Sequence, residues 1–426
     1  MKQIINELKA QPVIAWVTIL GTALAMFLIM IVVMLDQVKV VSMAPESDRD
    51  LYLYATRAES CSTDTAYPMS SQASLGQPLL DNIFYPLTTP KLMSVWVKWE
   101  SQQSVSVPGV PAFNADVKNT DANFFKVYDF KFLAGAPYDS AAVISHFKKA
   151  VITKSIAEST FKSVTDAVGK DIYLDDVPYT VTGVVDNVSP VTSKAYSQVW
   201  TPLPYEEPDE WEMQYGTGQY AVVMLARDKK NMAEIKNEVL SNLAKYNASK
   251  AAEMIEVNLA GGPYTHIESA YGNDFRLPDM AKERRSQYLL YVILLLIPAI
   301  NLSTMTRSRL AYRTSEIGVR RAFGAPRSSI VIGIITENLI ITLIGGALGL
   351  ILSWIFGGMF FDSIYSGGWL TTYNTTVTPG AEALFAWSTF FYVLLFCFIL
   401  NLISSGIPAI RASRINPVDA ISAKTK

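Results

Sequence analysis

The stretch VIAWVTILGTALAMFLIMIVVML, residues 13–35, decides the fold class of this chain. It lies inside a run of 26 residues, 10–35, that holds no charged side chain. A bilayer core about 30 Å thick needs roughly 20 apolar residues in a helix, because lipid offers no partner to a free backbone group. The run is longer than the apolar core of a secretory signal, and no A-x-A-like cleavage site follows it. We therefore predict a retained membrane anchor at residues 13–35.

Three further apolar runs of membrane-spanning length occur late in the sequence. They cover residues 286–306, 330–361 and 387–410, and the second is longer than a bilayer requires, which predicts tilt or projection. Half of the 426 residues are hydrophobic and only 17% are charged, which argues against an ordinary soluble domain. We predict an α-helical membrane protein with four transmembrane helices.

Basic residues orient these helices, because short cytoplasmic loops retain Lys and Arg. The connection at residues 307–329 carries six arginines against a single acid, Glu316, whereas the loop at residues 362–386 has neither Lys nor Arg. Basic residues also flank the first and the last apolar run. We therefore place both termini, residues 1–12 and 411–426, in the cytoplasm together with the 307–329 connection, and the 362–386 loop outside.

The 250 residues between the first two apolar runs, 36–285, are polar and acidic. Their net charge is −8, against +6 for the rest of the chain, and opposite signs favour opposite sides of a membrane. DIYLDDVPYTVTGVVDNV, residues 171–188, predicts two strands around a turn, whereas apolar spacing predicts helices at 149–161 and 229–247. We predict a large α+β extracytoplasmic domain between helices 1 and 2, with helix 2 extended outward through RLPDMAKERRSQYLL, which starts at Arg276.

A short charged helix is predicted within the cytoplasmic connection, at residues 312–323. Glu316 and Arg320 have the i, i+4 spacing that pairs opposite charges. Gly324 is suited to end the helix, and Pro326 prevents its continuation. On these residues alone, an interfacial amphipathic loop whose arginines follow the positive-inside bias explains the segment equally well.

The apolar runs contain three features that need an explanation. Glu337 lies about 10 Å along the third run, where a carboxylate that reaches cytoplasmic water or an arginine is favoured over a proton relay. Gly345 and Gly349 form a small-xxx-small pattern beside Gly346, which suits helix contact either between two chains or within one. Asn301 is expected to loosen the second helix together with a nearby proline.

Motifs for enzymatic chemistry are missing from the sequence. There is no G-x-x-x-x-G-K-[ST] loop to bind phosphates, so this chain is not expected to hydrolyse ATP by itself. His146 and His266 stand outside any H-E-x-x-H or G-x-S-x-G context, and we interpret them as surface or core residues. No metal-ligand spacing occurs, and the acidic soluble region argues against nucleic-acid binding.

EIGVRRAFGA, residues 316–325, resembles the cytoplasmic signature of the MacB/FtsX-type ABC transporter permease family. The similarity extends to PAIRASRINPVDAI, residues 408–421, and to YTVTGVVDNV, residues 179–188. In that family the short cytoplasmic helix docks into a cleft of the ATPase subunit and acts as the coupling helix. The resemblance implies ATPase coupling by Arg313, Glu316, Ile317, Gly318, Arg320, Arg321 and Gly324. It implies helix packing or dimer contact by Asn301, Glu337, Gly345, Gly346 and Gly349.

By the same resemblance, the chain would be the permease subunit of an ABC transporter in the bacterial inner membrane. It would work as a dimer with a second copy or a paralogue, and a separate ATPase would bind ATP and Mg while this chain holds no cofactor. Efflux with an adaptor and an outer-membrane channel is the favoured expectation. Regulation of a cell-wall hydrolase and release of lipoproteins stay open as alternatives. Sensing of an antimicrobial peptide is less favoured, because ten helices would be expected there.

Overall fold

A computed structural model describes residues 12–63, 69–99, 101–204, 206–272, 279–312 and 322–365, together with 317, 319, 320, 391, 392, 394, 395, 398, 399, 402 and 410. The chain divides into two compact units. We call the unit that contains residues 281–361 and the chain up to Val38 the helical unit, and the unit at residues 39–280 the α+β domain.

The described elements have the following bounds. The helices are α1 (Pro12–Val40), α2 (Gln77–Leu79), α3 (Phe124–Val127), α4 (Ser140–Ile144), α5 (Lys154–Phe161), α6 (Val164–Ala167), α7 (Glu210–Tyr215), α8 (Lys229–Lys250), α9 (His266–Tyr271), α10 (Met280–Tyr312) and α11 (Arg327–Tyr365). The strands are β1 (Tyr52–Ala55), β2 (Ala58–Ser62), β3 (Ser70–Leu75), β4 (Leu92–Val97), β5 (Ser101–Val107), β6 (Val110–Thr120), β7 (Phe132–Gly135), β8 (Lys149–Thr153), β9 (Asp171–Leu174), β10 (Val177–Val185), β11 (Val199–Pro202), β12 (Thr217–Gly218), β13 (Tyr220–Leu225), β14 (Ile255–Asn258) and β15 (Tyr264–Thr265).

The helical unit contains three long helices at the positions of the first three apolar runs. Each of α1, α10 and α11 begins before its predicted span and ends after it. Among the described residues, two helical segments have the length and apolar composition needed to cross a membrane, Ile19–Val40 and Arg327–Gly357. The fourth predicted span, 387–410, lies outside the described residues except at isolated positions.

The α+β domain is built on a continuous network of hydrogen-bonded strands in the order β11-β8-β10-β9-β5-β6-β4-β13-β3-β2-β14. Most neighbours are antiparallel, but β8 runs parallel to β10, and β6 runs parallel to β11. A single residue pair, Trp96 and Thr120, joins β4 to β6. Residues 101–202, which span β5 to β11, therefore form a separate part of the network that we call the inserted lobe.

The predicted hairpin at residues 171–188 is confirmed. Strands β9 and β10 pair from Leu174 and Val177 outward, with Asp175 and Asp176 as the two turn residues. Both aspartates have positive φ, 45° and 66°, which is the geometry of a two-residue turn that fits the twist of the strands. Short polar side chains such as Asp tolerate this conformation better than most.

The predicted helix at residues 149–161 is wrong in its first half. Lys149–Thr153 forms strand β8, and helix α5 begins only at Lys154. The segment KAVIT is rich in β-branched residues and is buried on both faces between β10 and β11, so tertiary pairing decided its conformation. The predicted helix at 229–247 is confirmed as α8, which Asp228 caps by accepting a hydrogen bond from the Asn231 amide at 2.8 Å.

Three hydrophobic clusters support the α+β domain. Helix α8 packs onto the sheet through a buried stripe that contains Ile235, Val239 and Leu243. An aromatic cluster includes Phe124, Tyr128 and Trp200. A third cluster fills the inserted lobe with aliphatic residues of β5, β6 and β8–β11 and of helices α5 and α6. The lobe thus has its own core, as expected of a part that folds around one sheet.

Candidate coupling site

The predicted coupling helix is described only at some of its positions. Ile317 is buried, and it packs with Ile330 and Ile334 at the start of α11. This contact ties the short helix to the long helix that follows it. Arg313, Glu316, Gly318 and Arg321 lie outside the described residues, so their assignment to ATPase coupling stays a prediction.

Gly324 ends the short helix, as the sequence predicts. Its φ is +90°, and the Ala325 amide donates a 3.0 Å hydrogen bond to the Arg320 carbonyl. That bond spans five residues and is the 6→1 hydrogen bond of a Schellman motif, which closes a helix with a glycine in the left-handed region. Because a Cβ at Gly324 would meet nothing within 4 Å, backbone conformation rather than space favours glycine here.

The surface of this turn carries both charge and apolar area. Arg320 and Arg327 are exposed, and the Phe323 side chain keeps 89% of its surface accessible. A large exposed aromatic beside arginines is typical of the central residues of protein interfaces. Within the described part of the turn, Ile317 is buried against α11, whereas Arg320 and Phe323 are exposed.

The glycines of α11 lie against α1 of the same chain. A Cβ on Gly345 would stand 2.8 Å from Thr22 Cβ, and one on Gly349 would stand 2.6 Å from the Ala23 carbonyl oxygen. Both distances are shorter than real Cβ contacts, so only glycine permits this approach. Gly346 faces Leu394, with a Cβ-to-Cδ1 distance of 3.3 Å. The structure thus places intrachain contacts at the three glycines predicted for packing or dimer contact.

The two polar residues predicted within the helices occupy different positions. Glu337 is buried in α11, ten residues after the helix begins. Asn301 lies in α10, which continues without interruption from Met280 to Tyr312. The expected loosening at Asn301 therefore does not interrupt the helix.

Asp36 is a polar contact of the helical unit that the sequence analysis did not single out. Its carboxylate accepts hydrogen bonds from Gln287 Nε2 at 2.9 Å and from Tyr291 Oη at 2.8 Å. Both donors lie on α10, one helical turn apart, so a single side chain joins the end of α1 to α10. The i, i+4 spacing of Gln287 and Tyr291 was visible in the sequence, but their common partner, 251 and 255 residues away, was not.

A second polar network lies at the first residues of the α+β domain. Glu46 and Arg49 are buried, and Arg49 Nε lies 2.8 Å from Glu46 Oε2. Arg49 also donates to the Val41 carbonyl at 2.7 Å and to the Val191 carbonyl at 3.1 Å. Glu46 Oε1 accepts from two backbone amides, at residues 194 and 195, at 2.9 and 3.0 Å. The pair is thus satisfied on both sides, as a buried ion pair must be to persist.

His266 completes the contacts of this region. Its Nε2 lies 2.9 Å from the carbonyl oxygen of Lys39, in the last turn of α1, where helix carbonyls lack partners. The Tyr54 hydroxyl lies 3.5 Å from Nδ1, and burial lowers the pKa of the imidazole. His266 is therefore a hydrogen-bonded core histidine, which agrees with one of the two interpretations made from the sequence.

Two family models match successive parts of the chain. The model described as MacB-like periplasmic core domain matches residues 15–241, which is more than half of the chain, and the model described as FtsX-like permease C-terminal matches residues 288–417. The chain belongs to the MacB/FtsX-type ABC transporter permease family. The resemblance predicted from EIGVRRAFGA is thereby confirmed. Members of this family are membrane permease components with an extracytoplasmic domain, and they are generally non-catalytic.

Curated relatives agree with this assignment. The macrolide export ATP-binding/permease protein MacB of Burkholderia cenocepacia is 26% identical over 314 residues, 72% of this chain and 41% of that protein. Its namesake from Shewanella sp. is 28% identical over 321 residues, 74% of this chain and 44% of that protein. The chain thus spans less than half the length of these relatives. The solved extracellular domain of the ABC-type transporter YknZ from Gram-positive bacteria shares 15% identity at a TM-score of 0.33, over 47% of this chain and 99% of that domain.

Proposed function

We propose that this chain is the transmembrane subunit that converts ATP hydrolysis by a separate ATPase into motion of its α+β domain, for export across the cell envelope. The observation that carries the proposal is the order of the two family matches, because a periplasmic core domain precedes an FtsX-like permease region on one chain. A subunit that transmits motion across the membrane needs both parts on one chain: a periplasmic core domain that moves and a permease region that connects it to the ATPase.

The described part of the coupling turn supports a docking role. Ile317 fixes the turn to α11, so a force applied to the turn is passed to a long helix rather than absorbed by a loose loop. Arg320 and Phe323 supply an exposed charge and an exposed aromatic side chain. In the proposed complex the ATPase binds this surface of the coupling turn. The remaining residues of the binding surface are Arg313, Glu316, Gly318, Arg321 and Gly324. ATP and Mg are bound by the ATPase, and this chain contributes no cofactor.

Export is favoured over regulation of a cell-wall hydrolase and over release of lipoproteins. The curated relatives carry the printed name macrolide export protein, and the α+β domain, with its own lobe and core, offers a large surface for an adaptor or channel. In this proposal the chain spans the inner membrane four times, with both termini in the cytoplasm, and pairs with a second copy or paralogue. Regulation of a cell-wall hydrolase or release of lipoproteins would use the same motion on a different partner.

Charge reversal at the coupling turn tests the proposal. The full chain carries an affinity tag and is purified from membranes of its host, and co-purifying ATPase subunits are identified by mass spectrometry. Glu316→Arg combined with Arg320→Glu is expected to abolish co-purification, because the surface that the ATPase grips has its charges inverted. The matched control is Arg227→Glu, which reverses an exposed arginine of the α+β domain and should leave co-purification unchanged. Retained co-purification in the double variant would refute the docking assignment.

A further inference from the structure

The segment that leads from α1 into the α+β domain is held by side chains rather than left as a free linker. Three acceptor groups within residues 39–49 are bonded to side chains. The Lys39 carbonyl contacts His266, the Val41 carbonyl accepts a hydrogen bond from Arg49, and the Glu46 carboxylate forms an ion pair with Arg49. All of these groups lie within the α+β domain, which begins at Lys39. We call residues 39–49 the root segment.

The root segment is bonded directly to one loop of the inserted lobe, residues 189–195, between β10 and β11. Arg49 donates to the Val191 carbonyl at 3.1 Å, and Glu46 accepts from the amides of residues 194 and 195. The partners are separated by more than 140 residues in sequence, so these contacts depend on the tertiary fold. Three hydrogen bonds at two side chains set the position of the loop relative to Val41.

The same loop is bonded onward to the longest strand of the lobe. Lys118, which is buried on β6, donates from Nζ to the Lys194 carbonyl at 2.9 Å. Tyr196 Oη lies 3.3 Å from Asp116 Oδ2, and the Asp116 amide donates to Gln198 Oε1 at 3.1 Å. A continuous series of buried and partly buried polar contacts therefore runs from Val41 through Arg49 and the 189–195 loop to β6.

Such a series suits the transfer of displacement. Each contact is directional and at least partly buried, and an arginine fork that bonds a carboxylate and two carbonyls leaves little rotational freedom. A bare apolar contact would allow sliding, whereas these bonds would have to break before the root segment could move independently of the loop.

We infer that Arg49 and Glu46 are positioning residues through which motion of the root segment reaches the inserted lobe. This inference rests on the proposed function, since it names the place where the transmitted motion enters the α+β domain. Residues 189–195 are then the first part of the lobe to respond, and β6 follows.

The experiment compares hydrogen exchange in the full chain, purified with its ATPase, with and without ATP plus vanadate. Wild type is expected to change its exchange at residues 189–202 and in β6 when nucleotide is trapped, and also at residues 317–330. Arg49→Lys keeps the charge but loses the fork, so the nucleotide-dependent change in the lobe should fall by ~3-fold or more, within the range seen for mutations along coupling networks. The change at residues 317–330 should persist.

Lys131→Met removes an exposed ion pair of the same lobe, with Asp186 at 3.2 Å, and should respond like wild type. Hydrogen exchange of β1 and β13 without nucleotide verifies that each variant is folded. If Arg49→Lys is not folded, Glu46→Gln replaces it as the test variant. A normal response of the lobe in a folded variant overturns the inference while leaving the proposed function intact. A wild type that responds in neither region overturns the proposed function, and the inference with it.

Discussion

The α+β domain and the helical unit hold their buried groups in different ways. The domain buries Glu46 and Arg49, and every charged atom involved finds a hydrogen-bond partner. The helical unit instead brings α1 and α11 together at glycines, where a Cβ on Gly349 would overlap the Ala23 backbone. A water-exposed domain gains enough from apolar burial to hold a few satisfied charges. Helices in lipid lack that gain, and their association depends on close approach.

The largest effect predicted from this comparison is the loss of one partner of the buried ion pair. Arg49→Met leaves the Glu46 carboxylate buried without its counter-charge, and such a change costs ~3–5 kcal/mol of stability. The measurement is urea unfolding of the full chain in detergent, followed by hydrogen exchange of peptides from β1 and β13.

Lys131→Met is the matched control, because it removes a lysine from an ion pair with Asp186 in the same domain. The Lys131 side chain is exposed and that of Asp186 is partly exposed, so the change should cost about 1 kcal/mol or less. Equal effects of the two substitutions would contradict the view that the root segment is held by a buried, satisfied pair.

The next effect concerns the contact between α1 and α11. Gly349→Leu introduces a side chain where even a Cβ would lie 2.6 Å from the Ala23 carbonyl oxygen, and overpacking of this kind costs ~1–3 kcal/mol. Gly333→Leu, on the same helix, is the control, since a Cβ there meets nothing within 4 Å. Unfolding in mixed detergent micelles measures both variants. If Gly349→Leu is as stable as the control but weakens crosslinking between copies, this face serves the dimer rather than the single chain.

Local patterns in the sequence were sufficient to predict several elements. The Asp175-Asp176 hairpin, helix α8 and the glycine stop at Gly324 depend on turn chemistry, helical periodicity and αL preference, which neighbouring residues determine. The first three apolar runs indicated helices for the same reason. The helix prediction at 149–161 failed in its first half, because the strand conformation of KAVIT follows from pairing with β10 and β11 on either side, which apolar spacing within the segment does not reveal.

The polar contacts could not be predicted, because their partners lie far apart in the sequence. Nothing near Asp36 indicates Gln287 and Tyr291, and nothing near Arg49 indicates the Val191 carbonyl. The candidate coupling residues were proposed from a family signature, and their contacts with an ATPase belong to a second chain. Their role therefore stays a prediction, whereas the helix end at Gly324, with its bond from the Ala325 amide to the Arg320 carbonyl, is observed.

The smallest predicted effect is a pH dependence at the root segment. His266 faces Tyr54, Glu46, Arg49 and Lys194, and burial lowers the pKa of its imidazole below the ordinary value of 6.5. The unfolded chain then binds a proton more readily than the folded one, so the contribution of neutral His266 is complete above pH 6.5 and is lost as the pH falls.

The expected result is that wild type loses more stability between pH 7.5 and pH 5.5 than His266→Gln, which cannot titrate. The contribution of Asp121 to stability changes with pH in the opposite direction, because burial raises its pKa to about 6 and its contribution is lost as the pH rises. Asp121 is common to both proteins, so its effect cancels in the comparison. Urea unfolding at the two pH values measures the difference. Parallel dependences in wild type and His266→Gln would show that the imidazole is not held neutral by burial, and that the root segment is more open to water than its contacts indicate.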